Sequence, residues 1–399
     1  MMLDVQVPSH YPEGSTMVVI GDAPGKEDVD AKAAFTGSDG RCLQKACQIA
    51  GIDWATVGRT NLVKRRPQPD GNDFRKAFYE TIEEPIYTPT GKLSKRTRKI
   101  ICRTIEFEAW QSALQLELDN QHPNLVVALG NEAFEAITGY TGISNYRGSV
   151  LPSKWNAGIK VLCAEHPRYI VRGSVADFWF LAHDMKKAKR EAAFPEIRRL
   201  TWEQRIPPYS IEDAIWMLSL IRDNPTWKWT LDVETRAGTL ACFSIAYWNG
   251  FNYCTFCIPV QTPRGPYWNG EEECQIWEAL SAACSANPYL CNQNIEYDIY
   301  YLLRYGVEPS GVWMDTMLAH ALLYPEWPKS LAFLCSFYLD DVQYYKGEGR
   351  DWSDGDRDEQ LWEYCCKDAV YTLRIVEIID QQLKERNLYE FYHGQTFMV

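Results

Sequence analysis

Two carboxylates separated by one residue, Asp232 and Glu234, sit in the run Leu231 to Thr235 (LDVET) at the end of an apolar stretch that begins at Trp227. On a strand, side chains two apart share a face, so the pair can hold one metal ion. A nuclease site with two ions needs more acid, and more appears downstream. Asp298 in NQNIEYDIYYL reads as lying in the first turns of a helix, and Tyr364 and Asp368 in YCCKDAVYTL stand four apart. That spacing brings both to one helix face. Oxygen ligands without His or Cys suit Mg²⁺ or Mn²⁺ rather than zinc. The bland readings are a helix-start or surface acid for Asp298 and Asp368, and a core aromatic for Tyr364.

The elements that must carry such residues follow from the apolar runs. In the first half, Met17 to Ile20, Val57 to Val63, Leu125 to Leu129 and Ile159 to Cys163 read as strands, with helices predicted over Cys42 to Ala50, Ile100 to Leu118 and Glu132 to Ile137. Alternating strands and helices imply a parallel sheet covered on both faces. Met17 to Ile20 runs into the turn Gly21 to Gly25 (GDAPG), and the carboxyl edge of a parallel sheet is where such folds place chemistry. In the second half, Ile211 to Ile221 reads as a helix. Leu240 to Trp248 and Phe251 to Val260 read as a hairpin turning at Asn249 and Gly250.

Composition bounds the answer. At 399 residues, with 46% hydrophobic and 13% aromatic content, the chain is long enough for two packed domains. The net charge of −12 hides an asymmetry: residues 1–200 hold 27 Lys and Arg against 24 Asp and Glu, and the remainder 14 against 29. Basic clusters at Lys64 to Arg66 and Lys92 to Lys99 suit a phosphate backbone, whereas Lys186 to Arg190 reads equally well as a solvated helix face. Thirteen cysteines without regular spacing or a leading signal peptide point to a reducing, cytoplasmic setting. Cys254 and Cys257 lie three apart in a strand-like run, on opposite faces, so they are not expected to clip a metal. The span Asp351 to Glu359 reads as a solvated acidic loop.

The ordered set Asp-x-Glu, Asn-x-x-Tyr-Asp and Tyr-x-x-x-Asp, with DTML at Asp315 to Leu318 and SLAFLCSFYL at Ser330 to Leu339, resembles the DnaQ-like 3′–5′ proofreading exonuclease domain of family A DNA polymerases. The resemblance implies a ribonuclease H-like mixed α/β fold. It also implies two divalent ions on Asp232, Glu234, Asp298 and Asp368, and a water oriented by Tyr364 and Glu234. The final run ERNLYEFYHGQTFMV resembles the segment leading into a polymerase. A family A polymerase, fused downstream or separate, is therefore an expected partner, with single-stranded 3′ ends as substrate. A phage-encoded protein working in a bacterial cytoplasm is the expected source.

The first half has its own resemblance. GDAPGKEDVDAKAAFTGSDG, TNLVKRRP, VALG, Arg147-Gly148 and EHPRYIVR follow the order of the uracil-DNA glycosylase superfamily, in its family 4 form, over about residues 15–190. By that resemblance Phe35 stacks on an extruded base, Asn61 pairs with the uracil edge, and His166 donates to the base O2. Asp22, with Asp28 second, orients water. Gly21 and Gly25 line the base pocket, Gly25 standing where other families place a Tyr that excludes thymine. Lys64, Arg65, Arg66 and Arg168 contact DNA. Family 4 members hold an iron–sulfur cluster on four cysteines. Only Cys102 stands at a matching place and Arg65 replaces another, so no cluster is expected and Cys102 reads as an ordinary buried thiol. Asp22 is also a methylene shorter than the family's Glu, and Ala23 stands where the most active relatives have a water-activating Asp. Activity is thus less secure than fold. The alternatives are a glycosylase domain that serves as a DNA-binding or processivity clamp, and a chain that is wholly a non-catalytic polymerase accessory.

The expectation is an α/β chain of two domains. A glycosylase-like αβα sandwich with a central parallel sheet spans 1–190, a linker spans 191–208, and a ribonuclease H-like exonuclease domain spans 209–399.

Overall fold

The computed structural model describes residues 3–67, 73–87, 93–173, 175–347 and 357–395. The chain divides into two compact units, Met1–Arg198 and Arg199–Val399. Among the described residues no helix is long and apolar enough to cross a membrane.

The first unit runs β1 (Met17–Gly21), α1 (Lys26–Ala31), α2 (Ser38–Ile49), β2 (Gly58–Asn61), α3 (Phe74–Phe78), β3 (Tyr79–Tyr87), β4 (Leu93–Arg103), α4 (Ile105–Gln121), β5 (Leu125–Leu129), α5 (Asn131–Thr138), α6 (Ile143–Tyr146), β6 (Val150–Pro152), β7 (Lys160–Ala164), α7 (Pro167–Arg172) and α8 (Val175–Glu191). Five strands form a sheet in the order β2, β1, β5, β7, β6, parallel except for β6. The central runs of β1 and β5 are apolar without alternation because both faces are covered. Met17, Val19, Val127 and Leu162 pack with Leu43 and Ala46 of α2 and Leu181 and Met185 of α8. Val18, Ile20, Val126 and Val161 pack on the other side with Phe107, Trp110 and Leu114 of α4 and Phe134 of α5.

The helix predicted from Ile100 begins at Ile105. Ile100 and Ile101 lie opposite Ile82 and Thr81 in the β3–β4 ladder, and the Thr104 side chain accepts from the Phe107 N–H to start α4. Cys102 is therefore a half-buried strand residue rather than a buried thiol.

The second unit runs β8 (Glu203–Arg205), α9 (Ile211–Asp223), β9 (Trp229–Arg236), β10 (Thr239–Trp248), β11 (Tyr253–Pro259), β12 (Gln261–Thr262), β13 (Gly265–Pro266), α10 (Gly270–Ala286), β14 (Leu290–Asn292), α11 (Ile295–Arg304), β15 (Val312–Asp315), α12 (Thr316–Leu323), α13 (Leu331–Tyr338), α14 (Asp358–Glu385) and α15 (Tyr389–Gln395). Its main sheet has the order β15, β14, β9, β10, β11, β8, with β9, β10 and β11 antiparallel and the remaining pairings parallel. The period of two along β9 sorts its side chains. Trp229, Leu231 and Val233 join the core formed with α9 and α10. Thr230 faces the other way, its hydroxyl donating to the Ala369 carbonyl of α14 at 2.8 Å. Asp232 and Glu234 share that α14 face.

Three other expectations are adjusted. The hairpin loop holds four residues rather than two: Trp248 pairs with Tyr253, and the Asn249 side chain accepts from the N–H groups of Phe251 and Asn252. The span 191–208 is no free tether, because Glu191 is buried on Lys160 and Glu203–Arg205 pairs with β11. Of the acidic run, residues 351–356 lie outside the described residues, whereas Asp358 and Glu359 form the first turn of α14.

Asp315 ties three elements together. Its carboxylate accepts from the N–H groups of Asn294 (3.1 Å) and Ile295 (2.9 Å) at the start of α11, and from Met317 (2.7 Å) at the start of α12. It is buried at 2% exposure. Asp315→Ala leaves these donors without their acceptor and is expected to destabilise the second unit by about 2–4 kcal/mol. Chemical denaturation of the full chain checks this, and an unchanged midpoint contradicts it.

Candidate active sites

In the second unit, β9 and α14 bring together the residues that the sequence singled out. One carboxylate oxygen each from Asp232, Glu234 and Asp368 lies within 4.8 Å of the other two. Asp298, on the first turn of α11, is not part of that group. Its Oδ1 accepts from the Val233 N–H at 2.9 Å, on the backbone between the two strand acids. Tyr364 lies one helical turn before Asp368 on α14, and both are buried. Sequence reasoning missed two neighbours from the chain after α13. Tyr345 donates its hydroxyl to Asp368 Oδ1 at 2.5 Å, and Lys346 donates to Asp368 Oδ2 and, at 2.8 Å, to the Tyr364 oxygen. No periodicity marks that segment. Cys365 also reaches the site, its thiol 3.4 Å from Asp232 Oδ2.

Crowding acids into a poorly hydrated cleft pushes their pKa values up. Asp232 is raised well above the carboxylate range, first by burial, then by Cys365, Asp368, Glu234 and Asp298. Glu234 is pushed up to about 8 by burial and by Asp368, with Lys346 opposing. Burial also raises Asp298 and Asp368. A divalent cation relieves the same repulsion, and an all-oxygen set is the donor chemistry that Mg²⁺ or Mn²⁺ takes. The acids present therefore fit the ion.

In the first unit, a cavity of about 210 Å³ opens at the carboxyl ends of β1, β2 and β7 and is lined by Gly25, Asp28, Phe35, Asn61, His166 and Arg168, among others. Phe35 has a φ of +61°, a strained value for a residue with a side chain. A Cβ at Gly40 would stand 1.9 Å from the Phe35 carbonyl oxygen, so only glycine allows the loop to close on it. Gly21, expected to line the pocket, is not among its lining residues, but a Cβ there would lie 2.8 Å from Asn61 Oδ1 and 3.2 Å from the Phe35 ring. His166 Nδ1 accepts from the Arg168 N–H at 3.1 Å, which leaves the proton of the neutral ring on Nε2. Burial and the charge of Arg168 lower its pKa to about 4, so it is neutral at pH 7.

The structure corrects several assignments in this unit. Asp22 is not among the cavity's lining residues, its Oδ1 accepts from the Ala133 N–H of α5 at 3.0 Å, and burial pushes its pKa up to about 7. Asp28 lines the cavity with both oxygens engaged, Oδ2 by the Gly25 N–H and Oδ1 by Thr36. Lys64 is buried against Glu117, and Arg65 makes a two-pronged pair with Glu106 above the Phe78 ring. Lys64 is thus closed off from solvent, and the head of Arg65 is engaged by Glu106. Arg66 is partly exposed, as is Arg168, whose Nε donates to Asp39 at 3.3 Å. In the basic run 92–99, residue 92 and the side chains of 93–98 lie outside the described residues, and Lys99 is exposed. Within Lys186 to Arg190, Lys187 is buried and so cannot belong to a solvated face. Cys254 and Cys257 do point to opposite faces, but Cys257 meets Cys242 and Cys365 in a buried thiol group.

Residues 8–193 match the family model of the uracil DNA glycosylase superfamily, and residues 231–384 match that of the 3′–5′ exonuclease. The first stretch is similar to the type-4 uracil-DNA glycosylase of Archaeoglobus fulgidus, 26% identical over 171 residues that cover 41% of this chain and 71% of the relative. It is equally similar to that of Thermotoga maritima, 26% identical over 176 residues, 43% and 76%. Among solved structures, the catalytic core of RRP6 from Trypanosoma brucei has a TM-score of 0.37 at 16% identity, covering 49% of this chain and 51% of that one. Brucella melitensis NrnC has 0.33 at 17%, covering 49% and 88%. Likenesses this slight carry no argument. The chain thus carries a glycosylase-superfamily domain and an exonuclease domain, in α/β folds with sheets rich in parallel strands, and both domains imply binding to DNA. The exonuclease domain implies dependence on a divalent metal, which the group Asp232, Glu234 and Asp368 is able to hold.

The raised acids fix a pH dependence. A carboxyl whose folded value is raised binds its proton more tightly when folded, so its contribution is full below the ordinary 4.5 and is lost as pH rises through about 8 for Glu234. In EDTA the second unit should lose stability between about pH 5 and pH 9, and saturating Mg²⁺ should remove most of that slope. Thermal unfolding across that range measures it, and a flat or rising profile in EDTA would contradict the buried acid cluster.

Proposed function

We propose that the second unit hydrolyses single-stranded DNA from its 3′ end with the help of two divalent ions, Mg²⁺ or Mn²⁺. The observation that carries this reading is the gathering of three carboxylates from β9 and α14 within 4.8 Å. Asp232, Glu234 and Asp368, with Asp298 beside them, would hold the ions. Bound there, the ions supply a water acidic enough to attack at neutral pH and a counter-charge for the departing 3′ oxygen. Tyr364 and Glu234 orient that water. The Tyr364 oxygen accepts from Lys346, which also donates to Asp368. Tyr345 fixes the Asp368 carboxylate from behind.

For the first unit we propose a pocket that reads an extruded uracil. Phe35 supplies the stacking surface, the Asn61 carboxamide offers a donor and an acceptor side by side, and the neutral His166 donates through Nε2. The engagement of Asp22 and Asp28 in backbone hydrogen bonds favours recognition of uracil over its rapid release. This is the clamp-like reading of the domain. Both units then serve replication and repair at the growing end of a strand. The motif order of the second half supports a family A DNA polymerase as partner, whether in the same chain or another.

A 5′-labelled oligonucleotide with one internal uracil tests both units in the full chain. With Mg²⁺ a ladder shortening from the 3′ end is expected, and Asp232→Ala should slow it by about 10³-fold or more. A ladder at the wild-type rate in that variant refutes the metal assignment. In EDTA, binding should favour the uracil strand over its thymine counterpart, and Asn61→Ala should erase that preference. Alkali-sensitive breaks at the uracil within seconds of mixing would replace the clamp by a working glycosylase.

A further inference from the structure

Two side chains in the acid cluster are not metal ligands, and one of them is a cation. Lys346 reaches Asp368 across 22 residues of sequence, and Tyr345 reaches it across 23. The Lys346 ammonium donates to Asp368 Oδ2 and to the Tyr364 oxygen, and it stands 4.7 Å from the Tyr364 ring centroid and 5.2 Å from that of Tyr345. Its side chain is 23% exposed. With Tyr345 on Oδ1 and Lys346 on Oδ2, both oxygens of Asp368 are engaged. Asp232 and Glu234 also feel the ammonium charge.

Like charges packed this closely need a counter-charge before they can all ionise. Lys346 stands where it provides one, donating to Asp368 and Tyr364. A divalent ion on Asp232, Glu234 and Asp368 brings a second positive charge to the carboxylate that the ammonium occupies, and two cations at that separation repel. We propose that Lys346 is a tethered counter-ion: it keeps Asp368 and Tyr364 in register while ions are absent, and a divalent cation must drive it off Asp368 in order to bind. This rests on the reading of the three acids as metal ligands. Because the binding-competent state is the one with the ammonium withdrawn, the apparent affinity for the ion is lowered by the fraction of molecules in that state. Lys346 thereby sets the ion concentration at which the nuclease switches on, without touching the reacting phosphate.

Mn²⁺ binding to the full chain, followed by calorimetry and by the loss of the free-ion electron paramagnetic resonance signal, tests this without recourse to activity. Lys346→Met keeps the apolar stem and removes the charge, and Lys346→Gln serves as a second neutral replacement. Both should bind Mn²⁺ about tenfold more tightly than wild type, and both should unfold at lower temperature in EDTA because the acids have lost their counter-charge. Lys346→Arg should behave as wild type in both measurements. Unchanged or weaker Mn²⁺ binding in the two neutral variants, with wild-type binding intact and abolished by Glu234→Gln, overturns the counter-ion alone. Absence of Mn²⁺ binding in wild type, with Glu234→Gln making no difference, removes the metal site and the counter-ion together.

Discussion

The second unit is organised around the repulsion among carboxylates held close together away from bulk water. Two unit charges 4 Å apart interact by about 4 kcal/mol at an effective dielectric constant of 20, comparable to a large part of a domain's net stability. The fold must hold the acids against that force. β9 contributes two of them from one face while its other face anchors in the α9–α10 core. A helix of 28 residues, α14, lies against the same face and contributes the third. Asp298 lies on α11, whose start is tied, with that of α12, to Asp315 at the end of β15. Tyr345 and Lys346 complete the enclosure with a hydroxyl donor and a positive charge.

The first unit meets a different demand, that of an open cavity whose walls stay rigid. Its parallel sheet directs the ends of β1, β2 and β7 to one edge, the position in which a doubly covered sheet leaves backbone free for ligands. Gly21 and Gly40 permit approaches that any Cβ would block, and the strained Phe35 is held between them. Carboxylates near the cavity have been recruited to build it: Asp28 clamps the turn from Gly25 to Thr36, and Asp22 satisfies an N–H at the start of α5. A carboxylate that caps backbone donors is costly to release, which separates the rigidity of the pocket from hydrolytic power.

Much of this was legible in residue order. The apolar runs located four of the five strands of the first sheet and missed the short antiparallel β6, the two-residue spacing placed Asp232 and Glu234 on one face, and the four-residue spacing placed Tyr364 with Asp368. The errors have a common source. Ile100 and Ile101 suit a strand as well as a helix, and the β3 partner decided between them. Lys64 and Arg65 looked like phosphate contacts because a basic run carries no record of the acids that fold back on it, here Glu117 and Glu106. The hairpin loop lengthened by two residues because the Asn249 side chain supplies its own backbone hydrogen bonds.

The amino-acid sequence by itself determined which side chains share a face and in what order the elements run, because a strand repeats every two residues and a helix every 3.6. It also determined the donor chemistry, since a set of carboxylates and a phenol selects hard cations wherever it assembles. Tertiary structure alone decided which charges meet. The pairing of Lys346 with Asp368, of Asp22 with the Ala133 N–H and of Arg65 with Glu106 joins residues 22, 111 and 41 positions apart. No local period encodes a contact of that range; it exists only once the layers have packed and each buried charge has found a partner that offsets part of its desolvation penalty.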